Sequence, residues 1–193
     1  MTKTSHTDHE MVSIYGMSEE RIEQLMNEAS ECVLMWATRD GWPVGVVHAF
    51  LWKDGKVWVT FAEHRHRAAA IRRDNRVSVT VSGVASKNVR GAATLKGRAT
   101  FHDDDATKAW FYPALAKKVR PDDPAAEDAF CRMLDSPLRV ILEVVPEKWI
   151  TYDSEKAGRD MRGELPDEEK TPRLESDAVR MNRVRRQRGL GDR

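Results

Sequence analysis

The sequence predicts a mainly β protein with peripheral helices, built as a small antiparallel barrel. Three observations carry this. Asp-Gly pairs separate β-rich runs in "RDGWP" (39–43) and "KDGK" (53–56), and Asp-Gly between such runs is a strong hairpin signal. Two later runs alternate: Val77, Val79 and Val81 oppose Ser78, Thr80 and Ser82, and Leu95, Gly97, Ala99 and Phe101 oppose Thr94, Lys96, Arg98 and Thr100. One face of each is apolar, as in a sheet curved around a core. Finally, successive strands follow one another without the long helices that a parallel α/β sheet needs between them.

Taken in order, residues 1–16 read as a loose arm. "SEERIEQLMNEASE" then places Ile22, Leu25, Met26 and Ala29 at helical spacing, with Ser18 as N-cap and Glu19 and Glu20 in the electropositive first turn. "CVLMWATR", "PVGVVHAFLW" and "KVWVTF" predict a meander of three antiparallel strands over residues 33–62. "RAAAIRRD" suits two helical turns before the strand "RVSVTV" and the strand "GAATLKGRATF", where Gly97 on the inner face fits a bend or a close backbone approach. "DDDATKAWFY" is a helix that Pro113 should stop. "DPAAEDAFCRMLDS" is a second, with Asp123 as N-cap, Pro124 at its first position and Ala126, Phe130, Met133 and Leu134 on one side. "LRVILEVVPEKWITYD" returns to strand, broken or bent at Pro146. The domain spans 17–153, and the polar segment 154–193 is expected to be disordered or to wrap a partner.

The totals exclude several classes. At 193 residues, 40% hydrophobic and 33% charged, the chain suits one globular domain. A net charge of +1 argues against a surface that coats nucleic acid. Five arginines fall within 180–188, but without interleaved aromatics for base stacking. The two cysteines, Cys32 and Cys131, offer neither a disulfide framework nor a CxxC metal pair and fit a reducing compartment. No apolar run approaches the roughly 20 residues of a membrane span, and the first ten residues lack the apolar core of a signal peptide. The expected location is the cytoplasm.

Chemistry concentrates in "EHRHRAAAIRRD", residues 63–74, which carries Arg65, Arg67, Arg72, Arg73, His64 and His66 between two strands. A solvated helix face, a nucleic-acid patch and a phosphate pocket are all open on charge alone. Position adds to this. Arg65 and Arg67 sit where a helix begins, and a helix start offers unpaired N–H groups and a positive dipole end. Guanidinium groups there can add charge-assisted bonds to phosphate. Arg72 and Arg73 sit at the other end, where cations match the dipole. Spaced histidines on a loop, with Glu63, are weak evidence for a metal, and no metal site is assigned.

The order helix, "DGWPVGVVHAF", "KVWVTF", basic loop, short helix, "DNRVSVTV" and "LKGRATF" resembles the pyridoxamine-5′-phosphate-oxidase-like, FMN-binding split-barrel superfamily over about residues 18–152. The resemblance implies a split β-barrel and a homodimer with each flavin in a cleft between subunits. It implies a phosphate site at Thr60 and Arg67, with His66 or Arg65 in the place of the family's arginine. Val44, Gly45, Val46, Val47 and His48 would run along the isoalloxazine ring. Lys87, Asn88 and Arg90 lie in a loop that borders the cofactor cleft in the family, and Trp149 would cover a partner subunit's ring. His48 has two readings: a satisfied core or interface histidine, or a catalytic group donating a proton or hydrogen bond.

One departure is informative. Pyridoxamine-phosphate oxidases carry Arg and Lys along the second strand, whereas here it is apolar apart from His48, so a substrate phosphate has no partner there. The expectation is therefore an FMN-dependent oxidoreductase acting by two-electron transfer on a small organic substrate, with NAD(P)H a candidate electron donor. F420 in place of FMN, or a non-catalytic flavin or heme binder, are the alternatives.

Overall fold

The computed structural model describes residues 11–192. Residues 19–150 form one compact unit, and the two chain ends, up to Ser18 and from Thr151, form a second. Residues 1–10 of the expected N-terminal arm lie outside the described residues.

The larger unit begins with α1 (Glu19–Glu28), whose Leu25 and Met26 are fully buried. Then come β1 (Glu31–Ala37), β2 (Pro43–Ala49), β3 (Leu51–Lys53) and β4 (Lys56–Ala62). The expected meander of three strands is corrected here: its second strand is two, interrupted at Phe50. β2 pairs with β1 and β3 pairs with β4, both antiparallel. The seven strands are ordered β2-β1-β5-β6-β7-β4-β3. The two edge strands, β2 and β3, are thus neighbours in the chain, separated by Phe50 alone, and the sheet must curl until its edges approach. Phe50 is fully buried at that corner. This is the antiparallel barrel the alternation predicted.

α2 (His66–Arg73), β5 (Arg76–Ser82) and β6 (Gly91–His102) follow. Val77, Val79 and Val81 are buried with Ala93, Leu95 and Ala99, while Ser78, Thr80 and Thr94 stay half-buried on the other face. Cross-strand pairs Val77–Gly97 and Val79–Leu95 place the apolar residues side by side.

α3 (Asp105–Val119) corrects a second expectation, because Pro113 lies inside it. Asp104 caps its start by accepting from the Thr107 amide at 2.8 Å. Phe111 and Tyr112 before the proline, and Leu115 and Ala116 after it, are buried, most of them in a cluster with Trp58, Leu134 and Ile141. Stopping at Pro113 would expose Leu115, and burying a leucine contributes about 1.5–3 kcal/mol. That offsets most of the roughly 3 kcal/mol a mid-helix proline costs. Since Pro113 itself is exposed, Pro113→Ala should raise stability by about 1–3 kcal/mol, read as a higher urea midpoint at an unchanged slope.

α4 (Pro124–Leu134) starts as expected, with the Asp123 side chain accepting from the Ala126 amide and Pro124 in the first turn. Leu134 is buried, but Met133 is 55% exposed rather than on the packed side. β7 (Arg139–Asp153) continues through Pro146 without a break. Its ladder with β4 ends at the pair Val57–Val144, so the missing proline N–H falls beyond that pairing.

In the second unit the polar segment 154–193 holds regular structure. α5 (Ser154–Met161) and α6 (Glu175–Gln187) are helices. Tyr15, Ala157 and Leu165 form a small apolar cluster with Ile14. Polar bonds supply the rest: Tyr15 Oη donates to Asp160 Oδ2 at 2.6 Å, Arg159 grips Glu169 through two bonds of 2.6 and 2.8 Å, and the Thr171 hydroxyl donates to the Ser13 carbonyl at 2.8 Å. Among the described residues no helix is long and apolar enough to cross a membrane.

Candidate cofactor site

β4 delivers the chain to a tight turn, residues 63–65, and α2 begins at once. Arg65 is its N-cap, and no side chain caps the helix. His66 and Arg67 occupy the first turn, which holds no acidic residue. Cations at this end oppose the helix dipole. Arg65 and His66 are exposed, whereas Arg67 is half-buried.

Arg67 is the centre of the site. Its Nη1 lies 2.6 Å from His48 Nε2. Its guanidinium carbon sits 5.8 Å from the Trp36 ring and 5.4 Å from the Phe61 ring. His48 in turn leans on Phe61 at 5.8 Å between centroids. Burial, and then the charge of Arg67, push the His48 imidazole down to about 4. It is therefore neutral at physiological pH, accepts from Arg67 through Nε2, and carries its proton on Nδ1. Burial and neighbouring Arg65 also lower Arg67 from its ordinary value. A histidine held neutral is no proton reservoir near pH 7, and here it accepts from Arg67.

This neutrality makes stability depend on pH. Above the ordinary histidine value of 6.5 the imidazole is neutral folded or unfolded; between 6.5 and about 4 the unfolded chain takes up a proton that the folded site refuses. Stability is therefore lost as pH falls through that window, by up to roughly 3 kcal/mol. His48→Gln, which keeps an acceptor but does not titrate, should flatten this loss in urea melts at pH 4.5 and 7.

β2 alternates, so its five expected ring contacts divide. The register pairs Cys32 with His48, Leu34 with Val46 and Trp36 with Val44, which puts Val44, Val46 and His48 on the inner side. Gly45 and Val47 point outward with Met35 and Val33, and Val47 is 57% exposed. This outer face also bears Ser78, Thr80 and Thr94, and a cavity of about 590 Å³ opens on it beside Trp36 and Pro43.

Thr60 lies on the opposite face of β4 from Phe61, and its hydroxyl donates to the Val140 carbonyl at 2.7 Å. Phe61, rather than Thr60, is the β4 residue against Arg67. Asn88 is tied to the end of α1: its side chain and backbone N–H donate to Glu28 at 3.0 and 3.1 Å, and Ser86 adds a 2.6 Å bond. These donors, Asn88 first, hold the Glu28 carboxyl down at about 2. Lys87 and Arg90 flank Asn88, both exposed. Trp149 packs edge-on against Trp52 at 6.0 Å. Arg72 pairs with Glu63 and lies 4.1 Å over Phe101, and Arg73 donates to the Ala37 carbonyl at 2.9 Å, so the back half of the basic stretch is structural. Trp36 and Phe61 were not singled out by sequence; the one signal was a large aromatic near the end of each flanking strand.

The barrel and this site can be set against known proteins. No curated protein matches. Among solved structures, a conserved hypothetical protein from Mycobacterium tuberculosis is 20% identical, with a TM-score of 0.65 over 76% of this chain and 91% of the other. An F420 reductase is 19% identical, with a TM-score of 0.51 over 66% of this chain and 94% of its own. The heme storage protein of Vibrio cholerae is 14% identical, with a TM-score of 0.51 over 69% and 94%. Identities this low show the fold alone. The family model is more specific, since it takes in α1, every strand and α2 together: it matches residues 18–153, and the chain belongs to the pyridoxamine 5′-phosphate oxidase family.

Proposed function

We propose that the protein is an FMN-dependent oxidoreductase that moves electron pairs to or from a small organic molecule, with NAD(P)H as the candidate donor. One observation carries this: the start of α2 is uncapped, lacks an acidic residue and is crowded by Arg65, His66 and Arg67. Fixing cations at the positive end of a helix is unfavourable for the free protein and favourable once an anion sits there. The residues therefore suit a phosphate monoester. Backbone N–H groups of the first turn, with Arg65, His66 and Arg67, would bind it, and His48 would hold Arg67 in place. The flavin supplies the electron-pair chemistry when bound. Gly45 leaves β2 open to close approach from outside the barrel. The half-exposed sheet face around Val33, Met35 and Val47 supports a homodimer with the cofactor at the subunit interface.

The test is a titration of the purified protein with FMN, F420 and heme, followed by absorbance and calorimetry. Saturable FMN binding and NAD(P)H oxidation with a substrate panel are the expected results. Binding of none of the three overturns the reading, and flavin binding without turnover leaves a carrier. F420 is the second reading, favoured by exposed Lys87 and Arg90, which would suit its acidic tail. A preference for F420 over FMN in the same titration decides for it.

A further inference from the structure

A second site lies on the larger unit, away from α2. α1, the β3–β4 turn and β7 enclose a groove of about 360 Å³. Its walls include Trp52, Trp149, Glu19, Glu23, Val145 and Pro146. The two indoles stand at 70° with centroids 6.0 Å apart. Trp52 is fixed by its Nε1–H, which donates to Glu23 Oε2 at 2.6 Å. Val145 leaves 40% of its surface exposed beside them.

The charge of the groove is unbalanced. Asp54 on its rim is answered by Lys53 at 2.9 Å, and Lys56 by Glu143 at 3.0 Å. Those four groups cancel. Glu19 and Glu23 have no cationic partner among the described residues. Two carboxylates without a cationic partner therefore line the groove with two tryptophans, Val145 and Pro146, and Glu23 accepts from both the Trp52 indole N–H and Asn27 Nδ2. Indole faces attract cations, and more so where water is partly excluded. An anion meets repulsion here, and a neutral apolar ligand gains nothing from the carboxylates.

We infer that this groove is a binding site for a small organic cation, an alkylammonium or guanidinium group with an aliphatic body. The volume sits at the small end of ligand cavities, about 300–1,000 Å³, which suits a molecule the size of choline or agmatine. The aliphatic part covers Val145 and Pro146, and the charged head stands between the indoles and the carboxylates. This assigns Trp149 to the groove rather than to a flavin ring.

The test is calorimetry and tryptophan fluorescence with choline and agmatine, against the uncharged isostere 3,3-dimethylbutan-1-ol. At least one cation should bind saturably and at least about tenfold more tightly than the alcohol. Trp149→Ala should weaken it by about tenfold. The double variant Glu19→Gln with Glu23→Gln removes both charges. The side-chain amide it places in α1 still offers an oxygen to the Trp52 N–H, so folding is preserved, and it should lose a similar factor. If Trp149→Ala fails to fold, the double variant decides. No saturable binding, equal binding of the alcohol, or full affinity in the double variant overturns the assignment.

Discussion

Arg67→Ala should weaken FMN binding by about 10- to 150-fold, the equivalent of about 1.5–3 kcal/mol for a hydrogen bond to a charged group. The size of the effect comes from how Arg67 is held. Its guanidinium is half-buried, braced by neutral His48 at 2.6 Å and flanked by Trp36 and Phe61. A cation already fixed loses little freedom on meeting a phosphate, so most of the interaction appears as affinity. Exposed Arg65 lacks such bracing and is screened by solvent, and Arg65→Ala should cost only a few-fold. Arg67→Lys keeps a charge but cannot both reach His48 and offer a planar fork. It should fall between wild type and Arg67→Ala. Calorimetric titration at fixed ionic strength ranks the three. Unchanged affinity in Arg67→Ala would place the phosphate elsewhere. The same variant should leave the free protein with a less acidic His48, since the Arg67 charge is one of the two causes that depress it. Burial, the larger cause, remains, so the imidazole should rise only part of the way to 6.5, which NMR titration of the ring protons would show.

Local chemistry made the barrel legible. Alternation in 76–82 and 94–101 marked which side chains face inward, and the Asp-Gly turns marked where strands reverse. The break at Phe50 was hidden because "PVGVVHAFLW" is apolar almost throughout; only the curling of the sheet sends its two halves to opposite edges. Pro113 misled for a similar reason, since the burial of Leu115 and Ala116 is tertiary and leaves no mark at the proline. The ends of the chain were opaque because ion pairs and short polar bonds, rather than a periodic apolar stripe, hold α5 and its neighbours. At the candidate site, the strand–loop–helix order put Arg65 to Arg67 at the start of a helix, where α2 begins. The partners of Arg67 were out of reach, because they depend on the β1–β2 register and on the side of β4 that faces the helix.

Gly97→Ala should be the most damaging single-methyl change in the barrel. A Cβ built on Gly97 would lie 2.3 Å from the Val145 carbonyl oxygen, 3.1 Å from its carbon and 3.0 Å from Val144 Cγ1. The obstacle is backbone, and it belongs to β7, whose Val144 is locked to β4 through the pair Val57–Val144. Relief requires moving one strand off the other and loosening two ladders together. Overpacking of this kind costs about 3 kcal/mol or more, against roughly 0.4–1 kcal/mol returned by the stiffer unfolded chain. For a protein of this size that is a fall of roughly 5–10 °C in Tm. Gly45→Ala is the internal comparison. Its Cβ would also be crowded, at 2.9 Å from Val33 Cγ1 and 3.1 Å from Met35 Cγ, but both are side-chain atoms on the half-exposed outer face and can turn aside. It should cost about 1 kcal/mol or less in stability. Calorimetric melts of the two variants give the order directly. Equal losses, or a Gly97→Ala variant as stable as wild type, would mean that β6 and β7 do not pack at the separation that closes this barrel.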